Sequence, residues 1–202
     1  MKLYYAPGTC SLAPHIALRE AGLPFTLARV DLSTHTLASG EDYRQINPKG
    51  QVPALELDDG TRLTEGPVIV QFIADYAANT AFMPASGSLD RYRVMAWQNY
   101  ITAELHKSFS PLFNPDFDAA AKDLHRRLLR GKYDWIDEQL SPGPFLTGSA
   151  FTAADAYLFV VTKWARHVEL DLSDLRALAD FMSRVAGRPA VRSAMQAEGL
   201  PG

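Results

Sequence analysis

NPKGQVPALELDDGTRLTEGP, residues 47–67, decides the architecture of the first half of the chain. Two short β-rich runs, Ala54–Leu57 and Arg62–Leu63, flank Asp59-Gly60, and an Asp-Gly pair between such runs predicts a hairpin. Gly66-Pro67 then opens a helix whose apolar face is Val68, Ile69, Phe72, Ile73 and Tyr76. Upstream, Lys2–Tyr5 reads as a strand ending at Pro7-Gly8. Ser11–Ala21 reads as a helix carrying Leu12, Ile16 and Leu18, and it stops at Gly22. LPFTLARVD, residues 23–31, is the second strand, and polar residues 33–51 predict a loop with one helical turn. The order β-α-β-(α)-β-β-α is that of a compact α/β unit over residues 1–80.

Beyond residue 88 the strand signals vanish. Ser88–Phe109, Ala119–Leu140, Thr152–Leu170 and Ser173–Ala186 each carry helical spacing, with Pro or Gly between them. Ala156–Val161 is apolar all round, so its helix is expected to be central and buried. Thr152 with Asp155 three residues on predicts a capping box at its start. AFMPASG, residues 81–87, is the expected linker, and residues 88–202 form an all-helical second domain.

Bulk composition excludes several function classes. The 202 residues are 47 % hydrophobic and 21 % charged, with a formal charge of −3, which is ordinary for a globular protein. That balance argues against nucleic acid or an anionic membrane as partner. The start MKLYYAPGTC has no apolar run of signal-peptide length, and no window is long enough for a membrane span. One cysteine in the sequence cannot form an internal disulfide, which fits a reducing cytoplasm. No H-E-x-x-H or Cys/His cluster predicts a metal, and neither G-x-G-x-x-G nor a P-loop predicts a nucleotide.

That cysteine, Cys10, follows the Pro-Gly turn and opens the first helix. Burial as a small inert hydrophobe is the commoner use of such a residue. A helix N-terminus, however, favours thiolate, and the turn after a first strand is where α/β units face ligands. With no C-x-x-C and no resolving cysteine, chemistry at Cys10 needs an external thiol, and a small one such as glutathione is the abundant choice.

Tyr5-x-Pro7-Gly8-x-Cys10-Ser11, Asn47-Pro48-Lys49-Gly50-Gln51-Val52-Pro53-Ala54-Leu55, Leu63-Thr64-Glu65-Gly66 and Phe151-Thr152-x-Ala154-Asp155 span nearly the whole chain. In this order they resemble the cytosolic glutathione S-transferases, and Cys10 points to the bacterial beta class. The resemblance implies an α/β thioredoxin-like N-terminal domain plus an all-α C-terminal helical domain. It implies a cytoplasmic homodimer that conjugates glutathione, a co-substrate with no cofactor needed, to hydrophobic electrophiles. Thiol-disulfide activity through Cys10 can accompany this. Two alternatives stay open: a non-catalytic glutathione-binding protein, and a specialised isomerase or dehalogenase on the same fold.

Residue roles follow from the same resemblance. Val52-Pro53 is expected to be cis, turning the Val52 backbone toward a peptide-like ligand. Glu65 is expected to face the ligand ammonium, with a ligand carboxylate on the Gly66 N–H. His35 stands where a lysine is expected and contacts the glycine carboxylate. On the helix from Ser88, Tyr92, Ala96, Asn99, Ala103 and His106 fall on one stripe at α-helical spacing. His106 is the imidazole expected near Cys10, while Asn99, Ala103, Glu104, Leu105 and Lys107 approach glutathione, in part across a dimer interface. Tyr5 and Ser11 have supporting roles, Ser11 as a helix cap or weak donor, and Tyr4 packs in the sheet. His15, His125 and His167 read as ordinary surface or core residues. Phe109, Leu112, Phe113 and Phe117 either line an electrophile pocket or serve as interhelical packing.

Overall fold

A computed structural model of the chain describes residues 1–201. Backbone contacts divide it into two units: Met1–Ala85 together with the residues from Gly187 onward, and Ser86–Ala186. The first boundary falls inside the expected linker. The C-terminus differs from the expected division, because α8 (Pro189–Ala197) packs on α1 (Leu12–Glu20) of the first unit. Arg188 fixes that packing with a two-pronged ion pair to Glu20, at 2.8 and 3.0 Å. Pro189 in its first turn and Val191, Ala194 and Met195 on its buried face make α8 a regular helix that the four-helix expectation omits.

The first unit carries a five-stranded sheet in the order β3-β2-β1-β4-β5, built from Lys2–Tyr5, Thr26–Asp31, Thr36–Leu37, Ala54–Glu56 and Arg62–Thr64 for β1 to β5. β1 runs parallel to β2 through the α1 crossover and antiparallel to β4, which forms the expected hairpin with β5. The short β3 inside the expected loop pairs antiparallel with β2. A 3-10 turn at Tyr43–Gln45 supplies the expected helical turn. Leu3, Tyr4 and Tyr5 are all buried, because both faces of the central strand are covered. On one face Tyr4, Ala6, Val30, Tyr43, Ile46, Val52 and Ala54 form one cluster. Burial there pushes the Tyr43 hydroxyl up to about 12 while it donates to the Gln51 carbonyl at 2.9 Å.

α2 (Gly66–Tyr76) buries Ile69, Val70, Ile73 and Ala74 instead of the whole expected face. Val68 and Tyr76 are 50 % and 63 % exposed, because the unit's core needs only a narrow stripe of α2.

In the helical unit, α3 (Leu89–Tyr100) runs through a π-helical segment, Ile101–His106, into α4 (Lys107–Phe113). α5 (Ala119–Leu140), α6 (Ala153–Thr162) and α7 (Arg176–Ala186) complete it. Every residue of α6 is buried, as its apolar composition requires. It stops earlier than the expected Leu170, continuing only as a 3-10 turn over Lys163–His167. The capping box forms. Buried Asp155 accepts from the Thr152 N–H and hydroxyl, both at 2.7 Å, and from the Leu146 N–H at 2.8 Å. Burial outweighs those donors and pushes its carboxyl up to about 6.

Candidate active site

Cys10 lies one residue before Ser11, the residue that flanks the start of α1, rather than inside the helix. It is half-buried, and its thiol donates to the Val52 carbonyl at 3.4 Å. Val52-Pro53 is cis, as expected. The only thiol in the sequence therefore touches the backbone edge that the family resemblance assigns to a peptide-like ligand.

Of the two expected uses of Ser11, cap or donor, the cap hydrogen bond is not made and the hydroxyl donates to backbone. Its backbone is already helical, and its hydroxyl turns back to the Ala6 carbonyl and N–H, both at 3.2 Å, and to the Thr9 hydroxyl at 2.8 Å. Fully buried, it ties down the Ala6–Cys10 turn from within.

The loop that ends at Val52 is fixed at several points. Asn47 donates through its amide to the Gln51 carbonyl at 2.6 Å, and the His35 Nδ1 lies 3.1 Å from the Gly50 carbonyl. A carbonyl accepts, so Nδ1 carries the hydrogen. His35 has φ 56° and its ring lies 2.9 Å from where a Gly50 Cβ would stand, so only glycine fits beneath it. His35 thus braces the loop, a contact its expected ligand role did not include.

Glu65 sits at φ 70° and ψ 113°, a conformation costly for a residue with a side chain, immediately before α2. It holds the helix start without capping it, and its carboxylate pairs with Lys49, which also donates to the Thr64 hydroxyl at 2.9 Å. Pro67 has no N–H to offer, so the Gly66 N–H leads the helix N-terminus. A Cβ on Gly66 would come no closer than 4.0 Å to the Pro53 ring. Cys10, Val52, Pro53, Gly66, Glu65 and Lys49 therefore form one continuous arc in the first unit.

Within the helical unit, the π-helical segment breaks the expected stripe. A wider turn over Ile101–His106 shifts the angular register, so Ala103 and His106 no longer follow Asn99 at 3.6-residue spacing. Asn99 and Ala103 are exposed, while His106 is half-buried. The His106 Nδ1 lies 2.6 Å from the Tyr157 hydroxyl, and its ring packs edge-on to Trp164, with centroids 4.8 Å apart. Lys107 is exposed, and Glu104 is held by Lys132 at 2.8 Å. The Leu105 side chain is fully buried in the core. Packing also claims Phe109 and Leu112, both buried, whereas Phe113 and Phe117 remain partly exposed.

The "Glutathione S-transferase, N-terminal domain" model matches residues 8–75, and the corresponding C-terminal domain model matches residues 119–197. Glutathione S-transferase GstA of Escherichia coli O157:H7 is 50 % identical over 99 % of this chain and all of its own length. The chain belongs to the glutathione S-transferase family. The structure of BphK, a bacterial glutathione S-transferase in a ternary complex, superposes with a TM-score of 0.96 at 52 % identity, covering 99 % of this chain and 100 % of that one. A beta class enzyme from Sphingomonas chungbukensis gives 0.96 at 43 % identity with full coverage of both chains, and the class of this transferase is the bacterial beta class.

The transferase motifs do not reveal what lies behind the Cys10 turn. His15, read as an ordinary residue, and Glu198, not singled out at all, form a fully buried pair with Nδ1 to Oε1 at 2.9 Å. The other Glu198 oxygen accepts the Gly8 N–H at 3.0 Å, and Arg19 Nε donates to His15 Nε2 at 3.3 Å. Nε2 is thus the acceptor and Nδ1 the donor, which makes the imidazole neutral and the carboxylate the anion. Tyr5 packs on His15, with centroids 6.3 Å apart, and its hydroxyl is pushed up by burial and then by the Glu198 charge. The signal for Glu198 was weak: one acid just before Gly199, at the end of an amphipathic run.

Proposed function

We propose that this glutathione transferase binds glutathione along the Cys10–Val52–Glu65 arc and joins its sulfur to hydrophobic electrophiles. The 3.4 Å contact between Cys10 and the carbonyl before Pro53 carries this reading. A scaffold has no use for a half-exposed thiol beside an edge fit for a peptide-like ligand. In conjugation the glutathione thiolate attacks the electrophilic carbon, the new S–C bond forms, and the leaving group departs with its electron pair.

The ligand ammonium meets Glu65, whose exposed pair with Lys49 is cheap to displace. A ligand carboxylate takes the Gly66 N–H, and the glycine carboxylate lies toward His35. His106 tunes the sulfur, with Asn99, Ala103, Glu104 and Lys107 completing the contacts. That part of the proposal comes from the family resemblance, and a fall in kcat/KM for conjugation in His106→Ala, with the melting temperature retained, tests it.

Cys10 also forms a mixed disulfide. Its thiolate attacks glutathione disulfide, one S–S bond forms as another breaks, and one glutathione leaves as thiolate. Mass spectrometry of the protein incubated with glutathione disulfide is expected to show a single glutathione adduct on Cys10. In Cys10→Ala the adduct disappears while glutathione affinity stays within a few fold, and an unmodified Cys10 in the native protein refutes this chemistry.

A homodimer in the cytoplasm completes the proposal. Apolar side chains stand exposed on each unit, Val68 and Tyr76 on α2 and Leu89 and Tyr92 on α3, the last two at 65 % and 57 %. Sedimentation is expected to give twice the chain mass, and charge placed at Val68 and Leu89 is expected to halve it.

A further inference from the structure

The π-helical segment Ile101–His106 adds one residue to the helical ladder between α3 and α4. The Lys107 N–H closes it by reaching back five residues to the Thr102 carbonyl. Returning the segment to α spacing would turn the residues that follow by about 100° about the helix axis. Where His106 stands therefore depends on whether the wide turn is kept. Its inner side is anchored by Ile101 and Leu105, both fully buried.

On the outer side a lysine of α5 holds it. The Lys132 ammonium donates to the Glu104 carbonyl at 2.9 Å and to the Ser108 hydroxyl at 2.8 Å, and it pairs with the Glu104 carboxylate at 2.8 Å. An ammonium carries three hydrogens, and these contacts use all of them on one turn. Ser108 closes the triangle, accepting from Lys132 while donating to the same Glu104 carbonyl at 2.6 Å. Two side chains thus converge on a single carbonyl of the wide turn. The Lys132 side chain is only 29 % exposed, and an ion pair that carries two further hydrogen bonds at a shielded site outweighs an ordinary surface pair. Lys132 stands beside the buried stripe Leu129, Tyr133 and Ile136, so the packing of α5 fixes where its stem begins.

We propose that Lys132 is a positioning residue of this transferase: it holds the π-helical register and so sets where the His106 imidazole stands. In that register the His106 Nδ1 meets the Tyr157 hydroxyl at 2.6 Å, and the ring lies edge-on to Trp164 with centroids 4.8 Å apart. Rotation of the segment would break both contacts. The expected effect on rate rests on the reading that His106 tunes the glutathione sulfur, whereas the effect on the place of the ring does not.

Lys132→Met tests this, because it keeps the stem and removes every donor. In proton–nitrogen correlation spectra the His106 ring signals, assigned by their absence from His106→Ala, are expected to move in Lys132→Met. Those of His15 and His35, in the first unit, are expected to hold. With glutathione and chlorodinitrobenzene as substrates, kcat is expected to fall about tenfold, the cost of a misplaced group. In a His106→Ala background the same substitution is expected to change kcat by less than about twofold, since residues that act as a unit do not add. Ser108→Ala keeps every charge and opens one corner of the triangle, so it is expected to move the same ring signals by a smaller amount, and it provides the test if Lys132→Met does not fold. His106 ring signals at their native positions in both variants overturn the proposal. A tenfold loss that persists in the His106→Ala background overturns it as well. Native kcat in His106→Ala itself refutes the role given to His106, and the ring signals then decide the place of Lys132.

Discussion

Replacing Glu198 is expected to damage both stability and Cys10 chemistry, in an order that hydrogen-bond polarity fixes in advance. The chain Gly8 N–H, Glu198, His15, Arg19 has a donor at each end, an amide hydrogen at one and a guanidinium at the other. His15 passes one hydrogen along, so the group between Gly8 and His15 must accept twice. Only a carboxylate does that. In Glu198→Gln the side-chain oxygen accepts from Gly8 or from His15, while its NH2 meets a donor on the other side. Switching the His15 tautomer moves the clash to Arg19 without removing it. One donor is left unsatisfied whichever way the amide turns, at about 1–3 kcal/mol. Glu198→Ala removes both acceptors and leaves a void in a fully buried site, so about 3–5 kcal/mol is expected. The Gly8 end is only half-buried, and water there recovers part of the loss, which favours the lower figure.

Urea unfolding of the three proteins at pH 7 measures these losses. For a chain of this length each kcal/mol lowers the melting temperature by about 2–4 °C. The functional arm uses the only thiol in the sequence: the rate of Cys10 alkylation by iodoacetamide in the native state. Gly8 stands two residues before Cys10 and Leu200 lies 3.3 Å from where a Gly8 Cβ would be, so releasing Glu198 loosens this turn before the rest of the unit. Altered alkylation in Glu198→Gln under conditions where the variant remains folded is therefore expected. A Gln variant within about 0.5 kcal/mol of the native protein, the range of ordinary surface changes, refutes the polarity argument.

Three further outcomes follow from the geometry. Asp155→Ala is expected to cost about 2–4 kcal/mol, as a lost cap with buried donors left open, measured by urea unfolding. Because burial raises the Asp155 carboxyl to about 6 from an ordinary value of 3.8, its protonation favours the folded state. That contribution is full below about pH 4 and is lost as pH rises through 6, so native stability relative to Asp155→Asn should fall by about 2–3 kcal/mol between pH 4 and pH 7. A flat difference between those limits would show that the three donors, and not burial, set the titration. Gly66→Ser adds a hydroxyl at the start of α2 where the nearest atom to a Cβ is 4.0 Å away. Glutathione affinity is expected to rise about two- to fivefold, one added hydrogen bond's worth, by calorimetry, and equal or weaker binding would place the ligand carboxylate elsewhere.

What the sequence made legible was whatever nearby residues determine. Asp59-Gly60 specifies its hairpin, Thr152 and Asp155 specify their box, and an apolar run such as Ala156–Val161 demands burial wherever it lies. The family motifs carried the cis Val52-Pro53 bond, which propensity alone would set as trans. Ser11 failed as a cap because Ala6 and Thr9 offer its hydroxyl better partners within one turn of chain. The stripe through Asn99 and His106 failed because periodicity presumes an α-helix throughout, and the π-helical segment carries no composition signal of its own.

Long-range polar pairing was invisible for a different reason. Glu198 meets Gly8 and His15 across almost the whole chain, and no local rule joins residues so far apart. Nor does a hydrophobic pattern reveal them, since His15 is a polar residue on the buried face of α1 and Glu198 is a buried polar residue just past the end of α8. Such a pair costs desolvation that a hydrophobic replacement would avoid, so stability alone is a poor account of its presence. What it supplies is direction: the carboxylate accepts a hydrogen from one backbone amide, Gly8, in the turn that presents Cys10. An apolar pair could fill the same space but could not accept the hydrogen of that amide, which is why the turn, rather than the core, calls for the carboxylate.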